Sequence, residues 1–223
     1  MSNRPGIFIC FIGIDGSGKT TQAEALVRAM KEDGFRSRYV WNRFEPNLTK
    51  PMVSVARQLF LRHKDIYKDY EDYFATKQRL FGNRLLSATY QSLLWLDCLY
   101  QATGKIRLPL MRGEAVICDR YLYDTVADIA VESNYSEKQV KKTIRRYLNL
   151  FPRPDLIFLI DLPEEIAYQR KDDVPSIDYL SRRRQAYLYM SREQEMTLLD
   201  GTRNPDELEN TVQSRVKELI KTR

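Results

Sequence analysis

Gly13-Ile14-Asp15-Gly16-Ser17-Gly18-Lys19-Thr20 matches the G-x-x-x-x-G-K-[ST] phosphate loop at every fixed position. Gly13, Gly16 and Gly18 lack the Cβ atoms that would keep a backbone from wrapping an anion. The N–H groups of such a loop converge on phosphate oxygens, helped by the positive end of the helix that follows. Lys19 reaches toward the β/γ-phosphates in this motif, and the Thr20 hydroxyl toward Mg²⁺. The flanks fit. Ile7 to Ile12 is an unbroken apolar, β-prone run, as a strand covered on both faces requires. Ala23, Leu26, Val27 and Met30 then recur at helical spacing, with Gly34 as a stop.

The chain has 223 residues, 43% of them hydrophobic, enough for a single α/β domain with a sizeable core. The longest apolar stretch is strand-like rather than membrane-spanning, and the amino-terminal residues lead into a strand without a signal-peptide core. The three cysteines match no metal-site spacing: Cys10 and Cys118 fall in strand patterns and Cys98 in a helical one. Buried reduced thiols and a cytoplasmic protein are the expectation. The net charge of +6 is dispersed, with no aromatic RNA-binding signature or zinc-finger spacing. That favours a pocket gathering several phosphates over nucleic acid, and no membrane partner is expected.

Outward from the loop, strands and helices alternate. A second strand is expected at Ser37–Asn42 and helices over Met52–His63 and Tyr70–Thr103. Strands follow at Ala115–Cys118, Leu156–Ile160 and Thr197–Leu199, with helices near 124–132, 137–150, from Pro163, through the Arg- and Tyr-rich run, and from Asn204. This alternation implies a parallel sheet whose ligands bind beyond the carboxyl ends of the strands. Asp15, the Arg43–Glu45 loop, Asp119-Arg120 and Asp161 are the polar residues at those ends.

The phosphate loop with Thr21, Asp119-Arg120-Tyr121 after a strand, Leu159 to Pro163, and Arg184 to Tyr187 occur in one order along nearly the whole chain. In this the sequence resembles the thymidylate kinases, a branch of the P-loop nucleoside monophosphate kinases. The resemblance implies a three-layer P-loop NTPase fold: a five-stranded parallel sheet flanked by helices, forming one domain over 1–223 with a short lid at about 171–178. It implies ATP and Mg²⁺, a phosphorylated acceptor, dTMP, and a homodimer built through long helices. By position, Arg120 is expected to hold the acceptor phosphate, Asp119 to join Thr20 around magnesium directly or through water, and Asp15 to face the acceptor's sugar hydroxyl. Arg43 stands for the arginine of an Arg-Glu-Pro segment, here Arg43-Phe44-Glu45-Pro46. Gly13, Asp15, Gly16, Ser17, Gly18, Lys19, Thr20, Thr21 and Arg203 fall on the ATP side. Asp15, Arg43, Leu94, Cys98, Arg120 and Tyr121 fall on the acceptor side. The family's catalytic basic residue stands in the phosphate loop or in the lid; because Ser17 is not basic, it is sought in the lid, at Arg170, Lys171 and Arg182 to Arg184.

The thymine-reading positions depart from the family. Its arginine and aromatic residue become Cys98 and Leu94, and its Tyr-Gln pair becomes Asp128-Ile129; a one-turn slip recruits Trp95, Tyr90 or Gln91 instead. These changes leave open a kinase for another nucleotide, nucleoside or metabolite, and a nucleotide-binding protein without transfer activity. Plainer roles also stay open: an ion pair for Asp119-Arg120, a strand end for Asp161, a solvated face for Arg182 to Arg184, and a surface position for His63.

Overall fold

Six consecutive apolar residues leave a strand no face for water, and β1 (Ile7–Ile12) is buried at every position. In the computed structural model, which describes residues 6–42, 50, 84–171 and 174–222, β1 takes the centre of a five-stranded sheet. The other strands are β2 (Ser37–Trp41), β3 (Ala115–Asp119), β4 (Leu156–Asp161) and β5 (Thr197–Asp200), in the order β2-β3-β1-β4-β5. All pairings are parallel. Phe11 lies beside Asp119, Trp41 beside Asp119 from the other side, and Asp161 beside Asp200, so the carboxyl ends finish together.

Alternation along the strands sends side chains to two separate cores. Ile7, Ile9 and Phe11 join α1 (Lys19–Glu32) and α8 (Pro205–Lys221) on one face. Phe8, Cys10 and Ile12 face the other, with α2 (Arg84–Ala102), α4 (Leu122–Glu132), α5 (Glu137–Leu148) and α7 (Ile177–Ser191). Burial of Ala23, Leu26, Val27 and Met30 anchors α1, and each larger side chain contributes about 1.5–3 kcal/mol. The three layers expected of the sequence are present. The cysteines are free thiols, Cys10 and Cys118 fully buried.

The helix expected to end at Thr103 does not stop there. It widens into a π-helical turn, Thr103–Arg107, and continues as α3 (Leu108–Met111). The Leu108 N–H donates to the Thr103 carbonyl five residues back. Pro109 has no N–H to continue the ordinary ladder, which accounts for the altered winding just before it. A short helix, α6 (Glu164–Gln169), follows β4. The expected helix at Met52–His63, the first part of the one from Tyr70, and His63 lie outside the described residues. No helix among the described residues is long and apolar enough to cross a membrane.

Candidate active site

The chain turns sharply out of β1 because its loop presses against protein on one side. A Cβ on Gly13 would come within 2.5 Å of the Ile160 carbonyl oxygen, and one on Gly16 within 2.8 Å of the Ala167 carbonyl oxygen. These two glycines make room for β4 and α6. Only Gly18, with φ +91°, faces open space: a Cβ there meets nothing within 4 Å. All three loop glycines hold positive φ, the backbone freedom the sequence called for; Gly13 and Gly16 in addition clear β4 and α6. Gly18 also caps α1, whose first N–H groups point toward the loop. The first N–H groups of a helix that starts at such a loop are the donors a phosphate needs.

Lys19 lies within this loop, 4% exposed. Its ammonium donates to the Ile14 carbonyl at 2.6 Å and to Ser17 Oγ at 3.4 Å. Burial, reinforced by the Arg120 charge, brings it down to about 8 despite nearby carboxylates. Thr20 and Thr21 are exposed on the first turn of α1. The Thr20 hydroxyl donates to Asp119 Oδ2 at 2.6 Å, and Tyr39 from β2 donates to the same oxygen at 2.8 Å. Asp119 Oδ1 is buried with no hydrogen-bond partner among the described residues. A hydroxyl and a carboxylate side by side, one oxygen unspent, form a hard oxygen donor set that fits magnesium.

Arg120 follows Asp119 in a left-handed conformation, φ 72°, which costs a non-glycine residue about 1–2 kcal/mol. Its N–H donates to the Phe11 carbonyl at 3.0 Å, which fixes the turn to β1. The guanidinium bonds Asp15 through Nη2 and Asp124 Oδ1 through Nη1 at 3.0 Å. Burial works against ionisation of Asp15, but Arg120, then Arg183 and Lys19, hold its carboxyl well below the usual range. Asp15, Lys19, Thr20, Asp119 and Arg120 therefore converge, on the ends of β1 and β3.

The remaining predicted positions divide. Arg170, at the end of α6, is exposed and donates to the Gly16 carbonyl at 3.5 Å, beside the loop. Arg203 is exposed after β5, 3.9 Å from Asp200. Of the basic run on α7, only Arg182 faces solvent, paired with Asp178 at 2.9 Å. Arg184 grips both oxygens of Asp161, at 2.6 and 2.9 Å, and Glu164 at 2.8 Å. Asp161 thus does more than end a strand: it fastens α7 to β4. Arg183 is fully buried against Asp124 and Asp128.

Cys98 and Tyr121 meet in one small cavity, with Asn42, Gln101, Thr125 and Phe151. The Tyr121 hydroxyl is spent on the Pro152 carbonyl at 2.9 Å and its ring packs edge-on against Phe8, so it offers the cavity only ring surface. Burial pushes the Cys98 thiol up to about 12, a neutral small apolar lining. Gln101 donates to Asp97 at 3.2 Å and accepts from Lys105 at the same distance. Leu94 lies one turn before Cys98 on α2; Arg43 lies outside the described residues. Trp95 stacks on Tyr147 in the core. The sequence reading missed Asp124, Tyr39 and the buried role of Arg183. Only Asp124 carried a signal, its four-residue spacing from Arg120.

The sequence pattern of the thymidylate kinase family matches residues 11–212. The chain is 28% identical over 225 residues to a probable thymidylate kinase of Staphylothermus marinus, covering 98% of each protein. It is 28% identical over 210 residues to a probable thymidylate kinase of Methanocaldococcus jannaschii, covering 92% of this chain and 93% of the relative. Against a thymidylate kinase of Leptospira borgpetersenii it is 27% identical over 210 residues, covering 91% and 89%. A match running from the end of β1 into α8 takes in the loop, the Asp119-Arg120 turn and α7 alike, and the chain belongs to the thymidylate kinase family of nucleoside monophosphate kinases.

Proposed function

We propose that this site transfers the γ-phosphoryl group of ATP to dTMP, giving ADP and dTDP. The observation that carries the reading is the convergence of Lys19 and Arg120 on the phosphate loop, Lys19 at Ile14 and Arg120 at Asp15, within a chain of this family. Phosphoryl transfer asks the protein for alignment and charge rather than covalent chemistry. The backbone N–H groups of residues 16 to 20 hold the donor phosphates. Lys19 leaves the Ile14 carbonyl for their oxygens. Arg120, held at Asp15 and Asp124 until the acceptor arrives, takes the acceptor phosphate, and Asp15 accepts from the acceptor's sugar hydroxyl. Thr20 and Asp119 would hold magnesium, which would supply positive charge to offset that of the donor phosphates.

Arg170 supports a lid reading for 171–178: it already touches the loop from the segment's first edge. Closure brings it over the phosphates and keeps water from the donor. The base of the acceptor lies against the cavity of Cys98, Tyr121 and Gln101. There Gln101, Asn42 and Thr125 supply amides and a hydroxyl where the family's arginine is replaced. The partners are ATP and dTMP rather than nucleic acid or a membrane, in the cytoplasm, and the working unit is a homodimer. Nothing in the comparisons favours another acceptor or a protein without transfer activity.

ADP release coupled to a panel of nucleoside monophosphates tests this. Turnover is expected with dTMP, falling by about two to three orders of magnitude in Lys19→Ala and Arg120→Ala. Turnover with another monophosphate and none with dTMP would overturn the acceptor assignment.

A further inference from the structure

α7 carries an arginine that water does not reach. Arg183 is fully buried, and its charge is met from two sides. Nη1 donates to Asp128 and to the Tyr179 hydroxyl at 3.0 Å. Nη2 donates to the Tyr187 hydroxyl at 3.0 Å and to Asp124 Oδ1 at 3.5 Å. The Tyr187 hydroxyl in turn donates to the same Asp124 oxygen at 2.7 Å. On the far side of that oxygen stands Arg120 Nη1, at 3.0 Å. One buried carboxylate is therefore shared between the arginine beside the phosphate loop and an arginine on the helix that follows the lid segment.

The sharing decides what Arg120 has left to give. Two carboxylates, Asp15 and Asp124, hold Arg120, and an arriving phosphate must compete with both. In a buried setting each such attraction is stronger than in water. Arg183 and Tyr187 draw on Asp124 from behind and weaken its hold. Arg183 also acts on Asp15 directly, next after Arg120 among the charges that keep it ionised. Asp128, one-quarter exposed, competes with Asp124 for Arg183.

We propose that Arg183 is a positioning residue for the acceptor phosphate: by occupying Asp124 it limits the retention of Arg120 and so sets the affinity for the nucleoside monophosphate. This rests on the reading of Arg120 as the residue that takes the acceptor phosphate. Arg183 touches no reactant. Its effect belongs to the acceptor and not to ATP, which a purely architectural ion pair would not distinguish.

Two double variants of the full chain separate these roles, because each removes one arginine and one carboxylate. Arg183→Met with Asp128→Asn leaves Asp124 undiluted against Arg120. Arg183→Met with Asp124→Asn relieves it. The first is expected to raise the KM for dTMP about tenfold at unchanged KM for ATP, and the second to return it to within about twofold of the parent. Equal dTMP KM values in the two, or ATP and dTMP values moving together, would overturn the inference. Should the doubles not fold, Asp128→Asn alone decides. Arg183 then turns wholly to Asp124, and the dTMP KM is expected to fall about threefold, a change no structural lesion produces; an unchanged or raised KM overturns the proposal. Arg120→Lys is the control. If it leaves the dTMP KM unaltered, the reading of Arg120 itself fails. If it raises that KM while the Arg183 and Asp128 variants do not behave as stated, the Arg183 role alone fails.

Discussion

At Asp15, burial and charge act in opposite directions, and charge prevails. Arg120, Arg183 and Lys19 hold the carboxyl low although its surroundings would raise it. A carboxylate lowered on folding stabilises the protein fully above its unfolded pKa and loses that contribution as pH falls through the folded one. Asp15→Asn should therefore be less stable than the parent by about 2 kcal/mol at pH 6, the scale of a hydrogen bond to a charged group. The gap should narrow as pH drops below about 4, the ordinary aspartate value. Urea melts of both proteins at pH 6 and pH 3 measure it, and a constant gap would contradict the argument. Asp15, Lys19 and Thr20 were legible because one loop binds them to fixed spacings. Asp119 and Arg120 were legible because they end an apolar run. Arg183 was not: its partners Asp124 and Asp128 lie more than fifty residues away in sequence, and within Arg182 to Arg184 it looked like any surface charge. The second task of Gly13 and Gly16, clearing the backbone of β4 and α6, was hidden for the same reason.

Helix ends show where local chemistry suffices. Past the end of α4 at Glu132 and its cap Ser133 comes Asn134, φ 48°, after which the Tyr135 N–H returns to the Ala130 carbonyl at 2.8 Å. Glycine adopts that conformation with less strain. Asn134→Gly is expected to raise stability by about 0.5 kcal/mol, seen as a small rise in melting temperature with unchanged turnover. The five strands were readable in the sequence, and one boundary shifts by a residue at each of β2, β3, β4 and β5. The π turn was not readable. Its cause, a proline two residues beyond it, normally signals an end rather than a widening.

For the molecule as a whole, that widening matters. Leu96 and Tyr100 are 60% and 63% exposed on α2, and Leu108 and Met111 are 45% and 77% exposed beyond the turn. Two α turns span about seven residues and the π turn adds roughly one, so Leu108 continues the line of Leu96 and Tyr100. An apolar ridge on an exposed helical rod suits a self-complementary contact with a second copy. Leu96→Glu with Tyr100→Glu should convert the proposed homodimer to a monomer in sedimentation experiments at micromolar concentration. An unchanged sedimentation profile would place the contact elsewhere. Folding and ligation, finally, part company at a single carbon. An alanine at residue 18 strikes no protein atom and costs only the strain of its backbone, about 1–2 kcal/mol. On the proposed function, its methyl would intrude on the donor's phosphates. Gly18→Ala should melt cooperatively yet give no heat on titration with ATP: a deaf twin of the enzyme, intact in outline, and a blank against which every nucleotide measurement can be read.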